Sequence, residues 1–255
     1  VRLAFISGAT GGLGRALASL LAAKKIPLFL TARDPVNLQE LANSLSTQTH
    51  VEWVSANLIS ELPLILQVIE EKTPDLIINN AGFGLYGSVD ELNEHIEMID
   101  VNVKALVAIT KKAAQTLKAM HQTGTILNIS SAAGYFSIPY FATYCASKAF
   151  VRIFSEAVDE ELSPSGIRVL VACPGQINTP FCQRASKGEW QYPKGPSMSP
   201  ERTAHLLWKQ IIRGKRCAII DLRYRLAITL SVLFPKKWLQ KKLAATILKR
   251  IKQDD

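Results

Sequence analysis

Tyr144 and Lys148 stand four apart in Tyr144-Cys145-Ala146-Ser147-Lys148, and Ser131 lies thirteen residues upstream. Helical positions four apart share a face, so a phenol and an ammonium spaced this way point into one site. A cation beside a tyrosine favours the phenolate and is expected to lower its pKa. A tyrosine tuned toward neutral pH serves as a general acid or base. Ser131 follows the apolar run Ile126-Leu127-Asn128-Ile129. That puts it at the carboxyl end of a strand, where open parallel sheets bind ligands. The glycine-rich run Ser7-Gly8-Ala9-Thr10-Gly11-Gly12-Leu13-Gly14 opens the chain. A nucleotide-type loop together with a polarised tyrosine points to hydride chemistry on a carbonyl or alcohol.

Positioning those groups takes alternating strands and helices. Short apolar runs at Leu3–Ser7, Pro27–Thr31, Val51–Ser55, Asp75–Ile78, Thr125–Ile129 and Ile167–Ala172 fit strands buried on both faces. Helical patterns fall between them, near Leu13–Lys24, Val36–Leu45, Ser60–Glu71, Glu91–Met120 and Tyr140–Leu162. Cys217–Ile220 fits a seventh strand after a helix at Pro200–Ile212. The expected fold class is α/β, a doubly wound parallel sheet of about seven strands with helices on both faces. Residues 1–222 read as a single catalytic domain and 223–255 as a basic amphipathic helical extension. Pro174–Pro200 holds five of the twelve prolines and reads as an irregular loop, of the kind that often covers a site.

Charge separates the chain in two. Residues 1–208 carry 17 Lys and Arg against 18 Asp and Glu, whereas residues 209–255 carry 13 against 3, which together make the net +9. Charge placed that way concerns a partner of the tail rather than the fold. The four cysteines (Cys145, Cys173, Cys182, Cys217) show no ligand or framework spacing and read as reduced thiols, and the four histidines form no metal pattern. No metal is expected. The chain begins at Val1 almost directly on an apolar run, which leaves no stretch for a leader and suggests a cytoplasmic protein.

Gly8, Gly12 and Gly14 sit at the first strand-to-helix junction, where glycine lets backbone N–H groups approach a pyrophosphate. Arg33 follows the second strand, at the place that meets an adenosine ribose, and an arginine there suits a 2′-phosphate. Asp34 comes one residue late for a ribose diol. Asn79-Asn80-Ala81-Gly82 fits a turn under a cofactor. Asn102 lies within a helical stretch, and so poor a helix former calls for a local bend or a polar site.

In this order, Ser7–Gly14, Asn79–Gly82, Asn102, Asn128-Ile129-Ser130-Ser131, Tyr144–Lys148 and Pro174-Gly175-Gln176-Ile177-Asn178-Thr179 resemble the motifs of the short-chain dehydrogenase/reductase superfamily, over about residues 3–180. The resemblance implies a Rossmann-type fold and roles residue by residue. Tyr144 would be the proton donor or base. Lys148 would lower its pKa and hold the nicotinamide ribose. Ser131 would hydrogen-bond the substrate oxygen, and Asn102 would hold a relay water. Ser7, Gly8, Thr10, Gly12, Leu13, Gly14, Arg33, Asn57, Asn80, Ala81, Gly82, Tyr144, Lys148, Pro174, Gly175, Ile177 and Thr179 would contact the cofactor, Thr179 at the carboxamide. Asn57 stands where the family often has Asp, and Ser7 replaces the usual Thr. NADP(H) is the expected cofactor, with NAD(H) as the alternative. A small carbonyl or alcohol compound is the expected substrate. The aromatic cluster Phe83, Tyr86, Tyr135, Phe136, Tyr140, Phe181, Trp190 and Tyr192 fits a sizeable apolar one or ordinary packing of the rim. A 3-oxoacyl reductase acting on carrier-bound chains and a cofactor-binding sensor without turnover are the competing readings. By analogy the family pairs through its long helices, giving a homodimer or homotetramer. No nucleic-acid recognition module is present.

The tail carries a second signal. Leu226–Phe234 is uncharged but too short to span a bilayer, which takes about twenty residues. After Pro235, Leu239, Leu243, Ile247 and Ile251 repeat every four residues among Lys236, Lys237, Lys241, Lys242, Lys249, Arg250 and Lys252. With Trp238, this describes either an interfacial helix on the inner face of an anionic membrane or a helix packed on the body or a second subunit.

Overall fold

Apolar side chains alternate between two sides along each strand, and that alternation dictates a layered fold. The computed structural model describes residues 1–188 and 196–251. Seven strands form one sheet: β1 (Ala4–Ser7), β2 (Leu28–Ala32), β3 (Val51–Ser55), β4 (Leu76–Asn79), β5 (Gly124–Ile129), β6 (Ile167–Cys173) and β7 (Cys217–Ile219). Their order is β3-β2-β1-β4-β5-β6-β7, with every pairing parallel. Ile6, Leu28, Leu30, Leu76 and Ile78 pack under α1 (Gly12–Ala23), α2 (Pro35–Ser46) and α8 (Pro200–Arg213). Phe5, Phe29, Ile77, Ile126 and Val169 face the other way, onto α3 (Leu62–Lys72), α5 (Leu106–Ala119) and α6 (Ala142–Leu162).

β1 pairs with both β2 and β4. The chain therefore winds outward to β3 and crosses back to start β4. The loops that leave β1 and β4 part in opposite directions, and a crevice opens at the carboxyl ends of the strands. A short helix, α7 (Phe181–Ala185), lies in the proline-rich segment after β6.

The helix expected over Glu91–Met120 is shorter and interrupted. α4 (His95–Ile99) runs into a wide turn at Asp100–Ala105 and only then into α5. Asn102 is the reason. Its fully buried amide donates to the Phe83 carbonyl (2.8 Å) and the Ser147 hydroxyl (3.1 Å) and accepts from the Phe83 N–H (3.0 Å). Wide turns of this kind are rare and concentrate at functional sites.

The C-terminal segment also departs from expectation. α9 (Leu222–Ser231) has no buried residue. In α10 (Lys236–Ile251), Leu243 and Ala244 are half-buried and Ile247 is buried, so that stripe packs on the body. Packing, one of the two readings, thus holds for Leu243 and Ile247, while Trp238 at the start of the same helix is exposed. Exposed apolar residues also run along α9. Lys252 lies outside the described residues.

α6 is clamped to the sheet by Asp159, whose side chain is fully buried. Its carboxylate accepts from Arg168 Nε (2.9 Å), Arg216 Nε (2.7 Å) and the Val169 N–H (2.8 Å). Burial pushes the Asp159 pKa up, but the bonds from Arg168, Val169 and Arg216 outweigh it and hold the carboxyl below the ordinary value. A carboxyl depressed on folding contributes stability above its unfolded pKa and loses it as pH falls through the folded one. Asp159→Asn should therefore cost about 2–3 kcal/mol at neutral pH, less than for a fully dry ion pair because both guanidiniums are partly solvated. Denaturant unfolding measured from neutral to acid pH should show the gap between variant and parent closing below pH 4. A gap independent of pH would show that the carboxylate charge is not what clamps α6.

Candidate active site

α6 turns one face inward, and that face carries Tyr144, Cys145, Ser147, Lys148, Val151, Ser155 and Asp159. Lys148 is buried and donates from Nζ to the Ile129 carbonyl (3.0 Å) at the end of β5. A methyl group at Gly82 would come within 3.2 Å of that ammonium and 2.9 Å of Asn102 Oδ1, so the close approach demands glycine. Burial lowers the Lys148 pKa to about 8. An ammonium has three N–H donors, and the Ile129 carbonyl takes only one.

Tyr144 is buried between aromatic rings, 4.4 Å from Phe141 and 5.5 Å from Phe181 by centroid. Lys148 Nζ lies 5.7 Å from its ring centroid, over the ring face. The expected depression of the Tyr144 pKa is not found. Burial pushes the phenol above the ordinary tyrosine value, and only a hydrogen bond with Ser131 opposes it. The sign is reversed because the apolar surroundings penalise the phenolate more than one neighbour relieves it. Ser131 is held in turn by the backbone, its hydroxyl accepting from the Ala133 N–H (3.1 Å) in the turn after β5. Ser131, Tyr144 and Lys148 thus converge from β5 and α6 on one cavity of about 740 Å³.

That volume lies toward the upper end of small-molecule sites, about 300–1,000 Å³. The cavity runs from the Tyr144 end to the glycine turn and Arg33. Of the residues that the resemblance places at the cofactor, Gly8, Thr10, Gly12, Leu13, Gly14, Arg33, Asn57, Asn80, Ala81, Gly82, Pro174, Gly175, Ile177 and Thr179 line it. Two residues do not reach it. Ser7 is buried and accepts from the Asn80 and Ala81 N–H groups (3.1 Å each), which ties the turn after β4 to β1. Asn102 is fully buried and spends its amide on Phe83 and Ser147, so it orders the wall rather than facing the cavity. Gly8 adopts φ +65°, and a methyl there would sit 2.8 Å from the Ala81 Cα.

The residues present fit a dinucleotide. α1 starts without a side-chain cap and has no acidic residue in its first turn, although the turn lines the cavity. Its free N–H groups and positive dipole end make an anion site. Beyond it stands Arg33, which has no ion-pair partner among the described residues. The neighbouring Asp34 is engaged elsewhere and caps α2 through the Val36 and Asn37 N–H groups (3.0 and 3.1 Å).

Several lining residues were not foreseen. Arg184 on α7 faces the same cavity, and burial followed by the nearby Arg33 guanidinium holds its pKa below the ordinary arginine value. Two cations that feel each other, neither ion-paired among the described residues, favour an anion beside them. Tyr224 on α9 and Leu243, Thr246 and Ile247 on α10 complete the wall. No local signal reveals these, because the contacts join segments far apart in sequence. Of the aromatic cluster, Phe83, Tyr86, Phe136 and Phe181 line the cavity. Tyr135 instead packs beside Cys217, Tyr140 is absent from the lining, and Trp190 and Tyr192 lie outside the described residues. No group of side chains able to hold a metal ion occurs among the described residues.

A family profile described as short chain dehydrogenase matches residues 2–190. Sulfoacetaldehyde reductase 2 from Chromohalobacter salexigens is 34% identical, over 70% of this chain and 74% of its own. An NADP-dependent 3-hydroxy acid dehydrogenase from Schizosaccharomyces pombe is 29% identical, over 85% of this chain and 89% of its own. The solved short-chain dehydrogenase from Sphingobium yanoikuyae in complex with NADPH superimposes with a TM-score of 0.79 at 27% identity, covering 100% of this chain and 98% of that one. With the profile extending from β1 past the Tyr144–Lys148 pair, the chain belongs to the short-chain dehydrogenase/reductase family and is an NAD(P)-dependent oxidoreductase of alcohol and carbonyl groups.

Proposed function

We propose that the protein is an NADP(H)-dependent reductase of bulky apolar carbonyl compounds. One observation carries this reading: a protonated phenol stands at an aromatic-lined end of a cavity whose other end holds two arginines that have no ion-pair partner among the described residues. The nicotinamide, when bound, supplies the hydride. Tyr144 gives its proton to the carbonyl oxygen. Ser131 donates a hydrogen bond to the same oxygen and fixes its position against the phenol. Lys148 directs its remaining N–H donors at the cofactor ribose and stabilises the phenolate left behind. Arg33 and Arg184 grip the phosphates at the adenosine end. Phe83, Phe136, Phe141 and Phe181 take up the apolar substituents. Asn102 is a positioning residue that keeps the Phe83 segment in place.

The reading is tested by NADPH oxidation with a panel of bulky and small ketones and one 3-oxoacyl thioester, each against both cofactors. Turnover favouring small polar ketones or the thioester would overturn the substrate class.

Tyr144→Phe removes only the acidic hydroxyl. Turnover should fall by about two to four decades while NADPH affinity, followed by nicotinamide fluorescence, stays near the parent value. Near-normal kcat in this variant would remove Tyr144 from the mechanism.

Arg33→Ala should weaken NADPH about 10- to 100-fold and leave NADH nearly unchanged, since one charge-assisted phosphate contact is lost. Equal losses for both cofactors would sink the phosphate assignment.

Lys148 generates a prediction about stability. Its folded pKa of about 8 lies below the ordinary 10.5. Between those values the unfolded chain holds a proton that the folded one lacks, so stability rises with pH there and the cost of the buried charge is full below pH 8. Lys148→Met should thus be inactive, yet more stable than the parent by about 1–2 kcal/mol at pH 7, with the gain shrinking as pH rises past 8. Chemical denaturation across that range reads the effect, and a destabilised variant at pH 7 would contradict it.

A further inference from the structure

α9 points its two faces at different things. Tyr224 is turned inward, so close to Gly175 that a methyl on that glycine would lie 2.2 Å from the ring. Leu222, Leu226 and Leu230 follow at intervals of four, which places them in one stripe on the side away from Tyr224, and Leu233 lies in the turn just beyond the helix. Val232, Phe234 and Trp238 extend the stripe around the corner into α10, with Phe234 stacked on Trp238 at 5.2 Å. All seven are between 43% and 81% exposed. Single exposed leucines are ordinary, but a continuous stripe of this size marks a surface built to be covered.

The surroundings of the stripe identify what covers it. Arg225, Lys236, Lys237, Lys241 and Lys242 are exposed, and none is ion-paired among the described residues. Lys242 Nζ also lies 5.5 Å from the Trp238 ring centroid. No helix among the described residues is long and apolar enough to cross a membrane. A second copy of the chain is a poor occupant, because a two-fold contact through this stripe would press its basic rim against itself. An anionic lipid surface answers both features. Headgroups neutralise the cations, and the leucines with Phe234 and Trp238 enter the boundary with the acyl chains.

We propose that α9 and the start of α10 form a docking surface for anionic bilayers, on which the protein rests peripherally. The site of contact is the leucine stripe of α9 rather than the four-residue repeat of α10, which is spent on the body. α10 contributes its lysines to the rim while its inner residues Leu243, Thr246 and Ile247 wall the active cavity. Docking would hold that cavity at the bilayer surface, where apolar carbonyl compounds partition; this consequence alone rests on the proposed function.

The test is flotation of the full chain with vesicles of phosphatidylcholine mixed with phosphatidylglycerol, compared with phosphatidylcholine alone. The protein should float with the anionic vesicles at low salt and far less at high salt, where the attraction is screened. Leu226→Ser/Leu230→Ser/Leu233→Ser should weaken binding about tenfold or more while leaving NADPH binding intact, because these side chains are exposed and none of them lines the cavity. Lys236→Gln/Lys237→Gln/Lys241→Gln/Lys242→Gln should weaken binding and flatten its salt dependence. Failure to float at low salt would overturn the proposal. So would a self-association, seen by sedimentation, that the leucine variant abolishes while vesicle binding persists. Neither readout depends on turnover, so the result stands apart from the substrate assignment.

Discussion

A lysine ammonium is buried in the wall of the site, with one carbonyl as its hydrogen-bond acceptor, and the surrounding structure is arranged to permit it. Water would solvate that charge far better than the Ile129 carbonyl does. The cost is visible in the lowered pKa of Lys148. It is tolerated because the backbone comes in close from two sides. Gly82 and Gly134 both lie where a methyl group would strike Lys148 atoms, at 3.2 and 2.7 Å. The Ser130 hydroxyl donates to the Lys148 carbonyl (2.6 Å) and fixes the helix turn that carries it. The unspent donors of the ammonium are thereby left free for a ligand. An ion pair would have stabilised the fold better and left nothing to bind with.

The same helix is fixed along its whole length. Ser147 meets Asn102, Ser155 accepts from Asn128 Nδ2 (2.9 Å), and Asp159 holds Arg168 and Arg216. Asn128 in turn accepts from Asn79 (2.8 Å), so β4, β5 and α6 share one buried amide chain. Each contact is polar and directional, so each sets a position rather than merely adding burial. Catalytic geometry loses its value over about an ångström, and a helix fixed at three heights does not slide by that much.

The legibility of the sequence follows from this distribution of forces. The central strands were readable because both faces are buried and nearly every position is apolar, as in Leu28–Leu30 and Leu76–Ile78, whereas β3 at the sheet edge is only half-buried. The Tyr144–Lys148 pair was readable because helical spacing is local, and Ser131 because it closes a strand. The Tyr144 pKa was not, since its sign is a contest between burial and charge, and spacing reveals only the charge. The broken helix around Asn102 depended on a partner nineteen residues back, Phe83, whose carbonyl and N–H no periodicity indicates. The tail misled for a related reason. The four-residue repeat after Pro235 says that a face will be covered without saying by what. Only the placement of Tyr224 and Ile247 against the body decided which stripe remains outside.

That contest at Tyr144 ties the substrate to the proton. Phe141 stacks on the phenol, Phe181 packs tilted against it, and together they exclude water from it. The low dielectric they create raises the pKa and keeps the proton in place. It also strengthens the interaction between Tyr144 and Ser131, because electrostatic interactions are less screened there. An apolar ketone would extend this environment on entering, whereas a polar one would bring water with it and weaken both effects. The proposed preference for apolar carbonyl compounds and a phenol that holds its proton until the carbonyl oxygen develops charge would then be two results of one aromatic wall. Replacing that wall with polar groups would alter the acid as much as the fit.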